Sequence, residues 1–193
     1  AADAMVGTPW GRCLAKLEGE PPLQEMEDSL DRQYFANSLV AARGADASPQ
    51  LLRYLRTEID HRNIVNQFRA QKQNLSLETR VNLNIPGGRI GEAALRAATQ
   101  ADSKEALLDA LRRSNAFDDS GFEEAMQESA KRGTFDPLVN LLRNQRLKML
   151  KRFSHLNPVS AFPVIYYIQA KVLEVQNLRL LVRGKAAGLS DEV

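Results

Sequence analysis

The chain has 193 residues, enough to bury one large hydrophobic core or two small ones. Its 44% hydrophobic and 26% charged composition is that of an ordinary globular protein, and a net charge of +2 is too slight an excess to argue for nucleic acid. The single cysteine, Cys13, excludes an intrachain disulfide, and no apolar run approaches the roughly 20 residues that a membrane-spanning helix needs.

Glu25–Ala42 reads as a helix with Leu30, Tyr34, Leu39 and Val40 among its apolar positions. Gly44 through Pro49 breaks it, and Ser48 with Pro49 supplies an N-cap and a first helical position for a second helix running to about Gln73. Ser76 caps a short helix that leads to the turn Ile85-Pro86-Gly87-Gly88. Arg89–Thr99 and Ser103–Arg112 follow as short helices, the second capped by Ser103 ahead of Leu107, Leu108 and Leu111. Gly121–Lys131 and Pro137–Phe153 come next, separated by Gly133-Thr134-Phe135-Asp136. The last helix spans roughly Val159–Lys185, with Pro163 moving its start later. It is apolar nearly all round, which predicts a buried central helix. No strand-like alternation is sustained, so the fold class is all-α.

Two stretches of this chain answer each other without a gap. Leu51–Ser76 reads LLRYLRTEIDHRNIVNQFRAQKQNLS, and Ile165–Ser190 reads IYYIQAKVLEVQNLRLLVRGKAAGLS. At one constant offset Asp60 falls on Glu174, Asn63 on Asn177, Arg69 on Arg183, Asn74 on Gly188 and Ser76 on Ser190. Leu51, Leu52, Leu55 and Ile59 form an apolar stripe at helical spacing that Asn63 continues; Ile165, Tyr166, Gln169, Leu173 and Asn177 occupy the same places. Each unit is a long helix, a left-handed stop at Asn74 or Gly188, a Leu, and a Ser cap. The acid one turn before each Asn is close enough for a local polar contact. Each Asn is expected to satisfy buried partners between packed helices, since a buried amide is costly unless hydrogen-bonded. More loosely, Pro22-Leu23 matches Pro137-Leu138 and Trp10 matches Phe117. The sequence therefore divides into helical units 1–88 and 89–193, pseudo-symmetric copies of roughly a hundred residues. The first residues, Ala1-Ala2-Asp3, and the last, an N-cap and acidic first turn at Ser190–Glu192, read as parts of a longer polypeptide.

The motifs of an enzyme are missing. Gly87-Gly88 and Gly184-Lys185 stand outside any phosphate-loop pattern, and His61, His155 and Cys13 offer no zinc-ligand spacing. No catalytic, cofactor-binding or metal-binding residues emerge, and Cys13 reads as a small apolar residue. The acidic group Glu25, Glu27, Asp28 and Asp31 reads as a solvated helix face. Arg143, Arg146, Lys148, Lys151 and Arg152 crowd one helix among Leu147, Met149, Leu150 and Phe153. They spread too widely for a nucleic-acid stripe; they suit either a solvated face or docking to an acidic protein partner.

Tyr166–Val193 resembles the C-terminal signature of the C subunits of archaeal-type (A/V-type) ATP synthases, which are related to the d subunits of vacuolar ATPases. The residues that carry the likeness are Tyr167, Lys171, Glu174, Asn177, Leu178, Arg179, Leu181, Arg183, Gly184, Lys185, Gly188 and Leu189. Within the first unit Tyr34-Phe35, Tyr54-Leu55, Asp60, Asn63-Ile64, Arg69 and Pro86-Gly87-Gly88 agree as well, and Gly7-Thr8 with Trp10 fits the same habit.

The resemblance implies a funnel of three pseudo-symmetric helical units, of which this sequence carries two, the N-terminal one being absent. It implies a non-catalytic central-stalk adaptor of a rotary motor, peripheral on the cytoplasmic face of the membrane. Such a protein joins the central-shaft subunits to the proteolipid ring and passes torque between them, without cofactor, small-molecule substrate or nucleic acid. Two other readings stand beside it: a freestanding helical scaffold or adaptor unrelated to a rotor, and a helical nucleic-acid-binding protein. The modest net charge speaks against the second.

Overall fold

Serine caps and glycine stops set the frame of the molecule. The structure, a computed structural model, describes residues 7–15, 23–44 and 48–188. Among these residues the chain forms nine helices and no strand: α1 (Pro9–Leu14), α2 (Leu23–Ala41), α3 (Pro49–Lys72), α4 (Leu77–Asn82), α5 (Glu92–Gln100), α6 (Lys104–Arg112), α7 (Phe122–Arg132), α8 (Asp136–Leu156) and α9 (Phe162–Ala186). The hydroxyls of Ser48, Ser76 and Ser103 accept from the N–H groups of Leu51, Thr79 and Ala106, so each serine satisfies a donor that its helix leaves unpaired. Asn74, with φ of 51°, is left-handed where α3 stops, and Gly188, with φ of 70°, does the same after α9. Leu189 and Ser190 lie outside the described residues.

By contact the chain divides into two compact units, Ala1–Leu142 and Arg143–Val193. In the first, Phe68 and Phe122 are fully buried with ring centroids 5.8 Å apart, and Phe117 meets Phe122 edge-on at 5.1 Å. Ile64, Leu107, Leu111, Leu138 and Leu142 fill the space around them. Phe35, Leu39, Leu55 and Ile59 are buried on α2 and α3, where Arg62 pairs with Asp31 and stands over the Phe35 ring. On α2 the core residues are Phe35 and Leu39, while Val40 is 71% exposed.

In the second unit Phe153 and Phe162 pack at 5.3 Å, and Arg143 on α8 donates to the Gln176 side chain on α9 at 3.0 Å. α8 and α9 are thus antiparallel here, joined by residues 157–161. The expectation of a buried central helix fails for α9: Phe162 is its one buried residue, and Val164, Ile168, Val172, Val175, Leu181 and Val182 are exposed. An apolar circumference states a need for neighbours on every side. The second unit supplies one, the Arg143–Leu156 part of α8, which covers a single face.

Candidate docking residues and a buried polar clamp

The side chains of α3 do more than pack. Asp60, 5% exposed, accepts from the backbone N–H of Arg89 with both carboxylate oxygens, at 3.0 and 2.9 Å, and from the N–H of Ile90 at 3.1 Å. Asn63, 1% exposed, closes a two-way pair with Ile85: its amide N–H donates to the Ile85 carbonyl at 2.9 Å, and its carbonyl accepts the Ile85 N–H at 2.8 Å. Asp60 and Asn63 therefore grip two points of one turn, Ile85–Ile90, and the bond each makes is to that turn and not to the other. The glycine between those points is required, because a Cβ on Gly88 would collide with the Asp60 carboxylate.

The grip continues down the helix. Gln67 donates to the Arg80 carbonyl at 2.8 Å and to the Asn84 side chain at 2.9 Å, and Gln71 donates to the Ala101 carbonyl at 3.3 Å. Arg80 in turn donates to the carbonyls of Ala98 and Ala101, the last acceptors of α5. Asp60, Asn63, Gln67 and Gln71 recur every three to four residues and make one buried polar stripe that holds 80–101 by its backbone. Burial of Asp60 pushes its carboxyl up to about 6, against the Ile90 and Arg89 N–H donors and the positive charges of Arg89 and Arg56.

The aligned residues of the second copy stand differently. Glu174 is exposed and pairs with Lys171 at 2.6 Å, Asn177 is exposed and makes no hydrogen bond among the described residues, and Arg183, like Arg69, is exposed. Of the basic group on α8, Arg143 and Arg146 are half-buried, whereas Lys148, Lys151 and Arg152 are exposed and carry no acidic partner among the described residues. Spaced three and four apart, those three share one side of the helix.

Among the described residues no three His, Cys, Asp or Glu side chains are placed to hold a metal ion, and the side chain of Cys13 lies outside them. An open groove of about 370 Å³ between α6 and α7 has Leu108, Met126 and Ala130 in its lining, and its Arg112 is occupied by Asp109 and Asp119. Among the described residues no helix is long and apolar enough to cross a membrane. Among the described residues the buried polar side chains of α3 bind backbone, and the exposed cations of α8 stand together without an acidic partner.

The family described as "ATP synthase (C/AC39) subunit" matches residues 1–193, and the chain belongs to that family. Among curated proteins it is similar to the A-type ATP synthase C subunit of Haloquadratum walsbyi, 32% identical over 167 residues, covering 86% of this chain and 47% of that protein. The protein of the same name from Halobacterium salinarum is 31% identical over 98% of this chain and 55% of its own length. That from Methanococcoides burtonii is 28% identical over 99% and 53%. The chain spans about half the length of these relatives. No solved structure matches it.

Proposed function

We propose that this chain is a non-catalytic adaptor in the central stalk of a rotary A-type ATP synthase, docking the central-shaft subunits at one face and the proteolipid ring at another. In that reading it passes torque between ring and catalytic head for ATP synthesis and ion transport, and it sits peripherally at the cytoplasmic face of the membrane. The observation that carries the proposal is the family match over the whole chain. The residues fit it physically. A coupling element needs stiffness, which close-packed aromatic and aliphatic side chains and a polar stripe bonded to backbone provide. It needs exposed charge for docking, and it needs no nucleophile or metal.

Residues 1–88 and 89–193 are, in the same proposal, two of the three repeated units of the funnel. What supports the repeat is that α3 and α9 end alike, at aligned residues. The repeat and the contact division at Leu142 describe different things: one is copied sequence, the other packing.

The docking face we assign to the exposed side of α8. Its test is a pull-down of the chain on the purified shaft pair and on the detergent-solubilised ring, at low and moderate salt. The chain should be retained on one bait or the other. Lys148→Glu with Lys151→Glu should weaken retention about tenfold at low salt, the gap closing as salt screens it. Unchanged retention at low salt would make α8 a solvated face, and retention on neither bait would leave the freestanding scaffold as the better reading.

A further inference from the structure

Below the Asp60–Asn63 grip, the two glutamines of α3 are satisfied as donors and not as acceptors. Gln67 gives its amide hydrogens to the Arg80 carbonyl and the Asn84 side chain, and Gln71 gives one to the Ala101 carbonyl. The side-chain oxygens of both are buried and accept no hydrogen bond among the described residues. Beside them Arg80, 8% exposed, directs both terminal nitrogens to the Ala101 carbonyl and one of them also to that of Ala98. Its Nε–H is left buried and without an acceptor.

Turning the amides round does not change this. Thr99 donates its hydroxyl proton to the Leu95 carbonyl at 2.8 Å, so its oxygen receives the Asn84 amide N–H at 2.9 Å. Asn84 then faces Gln67 with its oxygen, and Gln67 must answer with its nitrogen. Reversing Gln67 or Gln71 would set an oxygen against the carbonyl of Arg80 or Ala101. The three lone atoms also belong to one neighbourhood. Gln71 and the Arg80 fork meet on a single oxygen, that of Ala101, and Gln67 stands one helical turn from Gln71 on the carbonyl of Arg80 itself.

We propose that this junction of α3, α4 and α5 is a binding site for an internal water molecule, which accepts from Arg80 Nε and donates to the Oε1 atoms of Gln67 and Gln71. The donor and acceptor count selects the ligand. One hydrogen to be received and two to be supplied is what a single water offers, with the three bonds usual for a buried one. An anion would take the Nε–H but turn its charge on two amide oxygens. A cation would stand against a guanidinium whose hydrogen bonds all go to neutral carbonyls. Left dry, the three atoms would each lose the bond that they make to water in the unfolded chain. Filled, the site completes the hold of α3 on residues 80–101. The inference needs neither the rotor reading nor the internal repeat.

The test is made in solution on the full chain, isotopically labelled in nitrogen. The Arg80 Nε–H resonance, identified by its loss in Arg80→Lys, should show a cross-peak to water that has opposite signs in laboratory-frame and rotating-frame Overhauser spectra. Opposite signs mark a bound molecule, whereas proton exchange gives the same sign in both. Gln67→Met with Gln71→Met removes both acceptors, and the cross-peak should be lost. Absence of an Overhauser contact in the parent would overturn the proposal whether or not the double variant folds, since the three atoms would then stay dry or close on one another. A cross-peak that survives the double substitution would overturn it as well, because the glutamines would not be holding the water.

Discussion

At Asp60 two demands conflict: the turn needs a charged acceptor, and the site has little water. Desolvation wins in the balance of protonation, lifting the carboxyl from 3.8 to about 6. A folded-state value raised above the unfolded one means that the stability contributed by this group is present in full below the ordinary carboxylate value and is lost as pH rises through about 6. The unfolding free energy of the chain relative to Asp60→Asn should therefore fall by roughly 2–3 kcal/mol between about pH 4 and about pH 7. Urea unfolding of the two proteins at a series of pH values measures this, and a difference flat across that window would contradict it. Asn63→Leu keeps the branched outline of the side chain, with bulkier methyl groups, but strands the N–H and C=O of Ile85. Its expected cost is about 2–4 kcal/mol by the same measurement; a loss within about 0.5 kcal/mol would mean that water replaces the amide. The sequence announced that Asn63 has buried partners, because an amide continuing an apolar stripe must be satisfied. It did not announce which ones. The partner lies 22 residues on and is backbone, which carries no residue-type signature. For the same reason the expected Asp60–Asn63 contact was misplaced. The Gln67 and Gln71 continuation was legible only as polar residues recurring at helical spacing along a buried face.

Helix ends were the clearest elements, since Ser48, Ser76 and Ser103 cap by local chemistry that survives any tertiary context. The six-residue α1 escaped notice although Thr8 accepts the Gly11 N–H at 3.1 Å, the same device ahead of a proline. α5 starts at Glu92, later than Arg89, because Asp60 takes the N–H groups of Arg89 and Ile90 into the turn. Burial of α9 was misread because an apolar pattern reports what a helix requires, not what the same chain provides. α7, by contrast, delivers Phe122 into the centre of the first unit against Phe68 and Phe117. Phe122→Ala should cost about 3–5 kcal/mol, the loss of a buried ring plus a cavity that rigid helices cannot close. Calorimetric or denaturant unfolding checks it, and a cost below about 1 kcal/mol would show that the α7 contact is dispensable.

For the whole molecule, family and helical class were both legible, the first from the Tyr167–Leu189 signature and the second from caps and spacing. What the chain does with its partners is a matter of surfaces, and surfaces carry weaker patterns than cores. Charge on α8 narrows from five residues to three once Arg143 and Arg146 are seen half-buried. An adaptor is defined by joining two bodies that do not otherwise meet. The decisive measurement is therefore a bridging capture: immobilised proteolipid ring is mixed with the shaft pair, with and without this chain. Shaft recovered on the ring only when the chain is present, and lost with Lys148→Glu and Lys151→Glu at low salt, is the predicted result. A chain that fails to raise shaft recovery above the ring-only level would contradict the adaptor role.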